Sequence, residues 1–181
     1  LQPDGSVVAS TGSSPHGQGH YTSWAMLISD ELGIPMDQIS IVHGDTDVVP
    51  EGGNTGGSRS AQIAGSSIQD AAKRLADEAR THAADRLEAA LDDIVLDIER
   101  GVFHVVGAPA VTIDWAELAT HAESPLVGTS EFSQPASSFP FGAHCAVVEV
   151  DPETGAVTLV RMVAVDDCGT MINPLIVEGQ V

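Results

Sequence analysis

The strongest constraint on this chain lies near its carboxyl-terminal end, where two apolar runs, HCAVVEV and AVTLVRMVAVDD, flank Asp151-Pro152-Glu153-Thr154-Gly155. β-Branched residues suit a pleated strand, and a short Asp, Pro and Gly segment between two such runs is hairpin chemistry. An antiparallel ribbon is expected there, and any fold must accommodate it.

Helical periodicity occurs earlier. Tyr21, Trp24, Ala25, Ile28 and Leu32 recur at helical spacing, and Gly33 with Pro35 supplies a stop. A second helix is expected from Ser58 to the neighbourhood of Leu91, with Ala61, Ala64, Ile68, Ala72, Leu75 and Ala79 on one stripe and Gly65 admitting another backbone. Short strands are expected at DGSVVAS, at QISIVHG, and at residues 94 to 98 and 102 to 106 around Glu99-Arg100-Gly101. Asp114-Trp115-Ala116-Glu117 opens a short helix in capping-box style. Strands outnumber helices without strict strand–helix alternation. The fold class is therefore α+β, with mixed or antiparallel sheets, one long and one shorter packed helix, and two small lobes at residues 1 to 122 and 123 to 181.

With 181 residues and 43% hydrophobic composition the chain can bury a real core. Its net charge of −19, from 26 acidic against 7 basic residues, argues against nucleic acid and anionic membrane as partners. Lys73, Arg74, Arg80 and Arg86 all fall on the second expected helix. No apolar run approaches the ~20 residues that span a bilayer, and the first residues carry no basic-then-apolar leader pattern. Cys145 and Cys168 form no CxxC pair, which fits a reducing, cytoplasmic setting. With no activating partner nearby in sequence, Cys168 reads as a buried structural thiol. The chain opens on Leu1 and stops after Glu178-Gly179-Gln180-Val181, and it reads as a piece of a longer polypeptide.

Two glycine-rich stretches carry the candidate chemistry. Gly17-Gln18-Gly19 precedes the first helix, where glycines admit a ligand to the backbone and helix-start N–H groups favour an anion. The same three residues also suit a plain polar turn. Residues 45 to 57 form a long loop without periodicity, a length usually reserved for function or disorder. Its end, Gly52-Gly53-Asn54-Thr55-Gly56-Gly57-Ser58-Arg59-Ser60, approaches a phosphate-cradling loop but lacks the lysine such loops use. A site for some other phosphate-bearing ligand and a capped connecting loop both remain open. His16, His20 and His43 lack the spacing of a zinc site and read as exposed loop histidines or indirect hydrogen-bond donors. No protein-ligated metal and no catalytic residue are assigned.

Four segments in order, GQGHYTSWAMLISDELGIP, GDTDVVPEGGNTGGSRSAQIAG, FPFGAHCAVVEVDPETG and VDDCGTMINPLIVEGQV, resemble the molybdopterin-binding region of molybdenum hydroxylase large subunits. That family includes xanthine dehydrogenase, aldehyde oxidase and the aerobic carbon monoxide dehydrogenases. The resemblance covers most of the chain and is weakest from Asp70 to about Phe139. It implies that a pterin dithiolene, not a side chain, holds molybdenum. It implies cofactor contacts from Gly17, Gln18 and Gly19, from Thr55, Gly56, Gly57, Ser58, Arg59 and Ser60, and from Gln180. It further implies the cytosine dinucleotide form of the cofactor, with iron–sulfur and FAD groups on other domains or subunits.

The resemblance also marks what is missing. The family's glutamate base belongs to a Gly-Glu motif beyond residue 181, and the substrate-facing loop precedes Leu1. This chain by itself is expected to be inactive, one wall of a cleft in an oxidoreductase that hydroxylates aldehydes, N-heterocycles or a similar small substrate with water-derived oxygen. The alternative is a stand-alone phosphate- or nucleotide-binding module built on residues 52 to 60.

Overall fold

The carboxylate of Asp4 accepts the Ser6 N–H at 3.0 Å and the Ser6 hydroxyl at 2.7 Å, and this turn delivers the chain into strand β1 (Val7–Thr11). Helix α1 (His20–Leu32) then carries it back to strand β2 (Ile39–His43). The two strands pair in parallel, Val7 opposite Ile39 and Thr11 opposite His43. Parallel neighbours need such a crossover, because no tight turn can return the chain in the same direction. The computed structural model describes all 181 residues. It forms two compact units, Leu1–Ser133 and Gln134–Val181, of α+β class.

In α1 the expected stripe holds for Trp24, Ala25, Ile28 and Leu32, which are buried, but not for Tyr21, which is 51% exposed. His20 takes the inward position in its place and stacks on Trp24, ring centroids 4.7 Å apart. A one-residue offset at a helix's first turn is enough to exchange the two, since adjacent residues point about 100° apart.

After residues 45 to 57, which hold neither helix nor strand, the chain enters one π-helical turn (Ala61–Gly65) and then α2 (Ser66–Arg86). The helix ends short of the expected Leu91, and Glu88 follows it with a positive φ of 50°. Ile68, Ala72, Leu75, Ala79 and Ala83 face inward, and Ala79 and Ala83 are fully buried. Gly65 does admit a close neighbour, but that neighbour is the indole of Trp24 rather than a backbone: an added Cβ would lie 3.2 Å from Trp24 Cζ3.

Strands β3 (Ile94–Asp97), β4 (Val102–Val105) and β5 (Ala108–Asp114) form an antiparallel sheet in that order. The third strand carries Pro109 and no clean alternation, so periodicity does not announce it. Asp114 caps α3 (Trp115–His121) as expected, its carboxylate accepting the Glu117 N–H at 2.8 Å while Glu117 accepts the Asp114 N–H at 3.1 Å. Trp115 meets Phe103 edge to face at 5.0 Å and donates its indole N–H to the Leu32 carbonyl at 2.9 Å. That bond joins the end of α1 to α3, and the ring contact joins α3 to β4, inside one buried cluster.

In the second unit, β6 (Phe141–Val150) and β7 (Val157–Asp167) form the expected hairpin, with a bulge between Val147 and Val148. The register puts Ala143, Val165, Cys145 and Val163 on one face and Ala146, Met162, Val148 and Leu159 on the other. Both faces are apolar and both are exposed. Cys145 and Cys168 are exposed free thiols, which corrects the expectation of a buried Cys168. A short helix α4 (Pro174–Glu178) follows, with Asn173 capping it through its side-chain oxygen, which accepts the Ile176 N–H at 3.2 Å.

Candidate cofactor site

Parallel pairing of β1 and β2 places their carboxyl ends side by side, so the loops that leave them, and the amino termini of the helices they feed, gather at one edge. Both candidate loops leave from that edge. Their backbones touch: Gly12 and Gly52 pass so close that a Cβ on Gly52 would lie 2.5 Å from the Gly12 Cα. Ser14 and Asn54 form a parallel β-bridge, and the Thr55 hydroxyl donates to the Ser14 carbonyl at 2.6 Å. The Ser60 hydroxyl donates to Thr55 Oγ1 at 3.3 Å, and Ser13 reaches Ser60 at 3.5 Å. Gly12, Ser13 and Ser14 are residues that the sequence reading misses. Small size was their only signal.

Within this frame the expected contact residues divide. Thr55 is half-buried and Ser60 buried, and their hydroxyls are engaged in joining the two loops. Gly56, Gly57, Ser58 and Arg59 are exposed, with Gly57 and Ser58 both at positive φ, 67° and 53°. Arg59 leans over Gly53, its Nη2 3.7 Å from where a Cβ would stand, and it has no carboxylate partner. By contrast Lys73, Arg74, Arg80 and Arg100 each pair with an acid.

At the start of α1, Gly19 is the N-cap in the left-handed region, φ 83°, and no side chain caps the helix. Gln18 turns its Oε1 back to accept the His16 N–H, which leaves its amide N–H₂ as a free donor. Gly17 sits at φ 99° with open space where a Cβ would be. The helix that begins at Ser60 is likewise without a side-chain cap. Two uncapped helix amino termini leaving one sheet edge offer a row of N–H donors and positive dipole ends. A free guanidinium flanks them, in a chain of net charge −19.

The histidines correct the sequence reading. His16 is exposed, but His20 is buried, and its Nδ1, like Trp24 Nε1 and His43 Nδ1, is a buried polar atom with no partner in the chain. Burial, and secondarily the charge of His16, lowers the His20 pKa from its ordinary 6.5, favouring the neutral ring. His43 Nε2 meets the Tyr21 hydroxyl at 2.5 Å, tying the end of β2 to the start of α1. Gln180 lies in the second unit, exposed, its N–H bonded to the Val177 carbonyl at 2.9 Å. No three His, Cys, Asp or Glu side chains converge as metal ligands, and no helix is long and apolar enough to cross a membrane.

The unpartnered ring nitrogens of His20 and His43 at the ends of α1 and β2 that meet this edge, open space at Gly17, Gly56 and Gly57, and an unpaired arginine fit a phosphate-bearing organic cofactor. Known proteins agree. A family model described as the molybdopterin cofactor-binding domain matches residues 1–181. The carbon monoxide dehydrogenase large chain of Afipia carboxidovorans is 40% identical over 189 residues, covering 100% of this chain and 23% of that protein. The nicotine 6-hydroxylase large subunit of Paenarthrobacter nicotinovorans is 37% identical, again over 100% of this chain and 23% of its own length. The solved carbon monoxide dehydrogenase from Oligotropha carboxidovorans superimposes with a TM-score of 0.90 at 39% identity, over 99% of this chain and 23% of that one. This chain thus spans about a quarter of the length of these relatives, and it belongs to the molybdopterin cofactor-binding domain family.

Proposed function

We propose that this chain forms one wall of the cofactor cleft in the large subunit of a molybdenum hydroxylase, and that the whole enzyme introduces water-derived oxygen into an aldehyde, an N-heterocycle or a similar small substrate. The observation that carries this reading is the pair of uncapped helix amino termini on one sheet edge, flanked by the unpaired Arg59. The pterin group, when bound, supplies the redox and oxygen-transfer chemistry; the residues here bind and orient it. Gly17 and Gly19 bring backbone close to it, and the free amide of Gln18 donates. Gly56, Gly57, Ser58 and Arg59 line its phosphate side, which suits the cytosine dinucleotide form. Thr55 and Ser60 hold that loop in place rather than touching the cofactor through their hydroxyls, and Gln180 is a further cofactor-binding residue.

The reading extends to partners. Iron–sulfur and FAD groups belong to other domains or subunits of a cytoplasmic complex, and the catalytic glutamate to the rest of the large subunit. The 181-residue chain alone then has no turnover. The test is Gln18→Ala and Arg59→Ala in the full-length enzyme, with molybdenum and cytidine nucleotide measured per subunit. Both are expected to fall; unchanged contents of both would remove the assignment. Tight ATP binding by the wild-type chain in calorimetry would instead support the phosphate-module reading of residues 52 to 60.

A further inference from the structure

A cavity of about 750 Å³ lies in the first unit, and the identity of its walls is informative. Every residue from 7 to 13 lines it, whereas no residue of β2 does. A cavity against one face of a strand touches alternate residues, because side chains alternate between faces. Contact with every consecutive residue means that the cavity runs along the strand's edge. It therefore lies on the edge of β1 away from β2, which no other strand covers.

Residues 48 to 54 of the long loop, with Arg59 and Ser60, close one end of the cavity, and a second stretch of its lining has the same character as β1. Residues 127 to 132 all line the cavity, and none of them makes a backbone–backbone hydrogen bond. They are held against α2 by other means: the Ser67 hydroxyl donates to the Ser130 carbonyl at 3.0 Å, and the Val127 N–H donates to Glu78 at 3.3 Å. The floor is apolar, made by Ile63 of the π-helical turn and by Ile68, Ala72 and Leu75 of α2. The edge of β1 and the backbone of residues 128 to 132, in which only the Ser130 carbonyl has a partner, thus border one cavity with an apolar floor. Beyond the end of β1 the chain makes one isolated parallel bridge, Ser14 to Asn54.

We propose that this trough is the seat of a β-strand from the part of the large subunit outside these 181 residues, inserted between β1 and residues 127 to 132. The volume agrees with one strand of matching length. A strand residue in a layered sheet occupies about 160 Å³, from a rise of ~3.3 Å, a strand spacing of ~4.8 Å and a layer spacing of ~10 Å, so the cavity holds about five residues. β1 has 5 residues. The source of the strand follows from length: relatives carry this segment as only 23% of their chain, so ample polypeptide lies outside it. A two-stranded parallel sheet with an open edge is also unusual by itself, because parallel sheets are normally covered and extended. The inserted strand presents small or medium apolar side chains to the helix floor. This inference rests on the chain being part of a larger subunit, not on any cofactor contact.

Hydrogen–deuterium exchange on the full-length large subunit tests it. All amides of residues 7 to 11 and those of residues 128 to 132 should exchange about 100-fold or more slowly than the same amides in the unfolded chain. The same protection is expected in subunit produced without molybdenum, so failure of the cofactor reading leaves this result intact. A benzophenone-bearing amino acid incorporated in place of Ser10 should cross-link to a peptide outside this segment within the same polypeptide. Fast exchange at alternate β1 amides, protection that vanishes without cofactor, a cross-link to a second copy, or cross-links confined to residues 1 to 133 would each overturn the proposal.

Discussion

Gly52→Ala tests whether close backbone approach holds the two cofactor loops together. Its Cβ would lie 2.5 Å from the Gly12 Cα and 2.6 Å from the Gly12 carbonyl oxygen. Carbon atoms rest at about 3.5–4.0 Å, so the loops must separate by about 1 Å, and neither obstacle is a flexible side chain. The Thr55 hydroxyl, now 2.6 Å from the Ser14 carbonyl, would then stand beyond hydrogen-bonding range. Overpacking of this kind costs about 1–3 kcal/mol. For a chain of this size that corresponds to a fall in Tm of about 2–12 °C. Gly56→Ala is the matched comparison, because its Cβ would enter open space and its φ is not positive. Thermal unfolding followed by circular dichroism should show the fall for Gly52→Ala and none for Gly56→Ala. In the full-length enzyme both should lower molybdenum content, Gly52→Ala by opening the loops and Gly56→Ala by obstructing the cofactor. Equal melting of Gly52→Ala and the parent would refute the loop-contact argument.

The other predictions concern stability. Gly33→Ala combines a positive φ of 66° with a Cβ that would clash with Ile98, and a loss of about 3 kcal/mol or more in urea unfolding is expected from left-handed strain plus overpacking. Trp115→Phe removes the buried donor to the Leu32 carbonyl and should cost about 1–3 kcal/mol in the same assay. The lowered pKa of His20 means that the unfolded chain binds a proton the folded chain does not. Stability from this group is therefore complete above about pH 6.5 and declines as pH falls below it; His20→Gln should flatten that part of a Tm-against-pH curve. Asp4, Asp70 and Asp151 have pKa values lowered from 3.8, so their contribution is lost only at lower pH, as the folded-state groups protonate.

Much of the architecture was legible from local signals. Turn chemistry at residues 151 to 155 announced the hairpin, the i, i+4 stripe from Ile68 to Ala79 announced the long helix, and Asp114 with Glu117 announced α3. Each signal is short in range, so it survives without knowledge of the rest of the fold. The same range limits it. Tyr21 and His20 exchange places because both satisfy a rough helical period, and only packing against the core chooses between them. Strand β5 exists because β4 offers it an edge, not because its own residues alternate.

The site divides along the same line. Sequence alone determined that two glycine-rich loops precede two helices and that one of them carries an arginine without the lysine of a nucleotide-triphosphate loop. Tertiary structure decided that Gly12 meets Gly52, that Thr55 and Ser60 are occupied in joining the loops while Ser58 and Arg59 stay exposed, and that β1 keeps an open edge over an apolar trough. The reason is that parallel pairing of β1 with β2 is a contact between segments separated by a whole helix. It brings both loops to one edge, and no residue in either loop encodes that approach by itself.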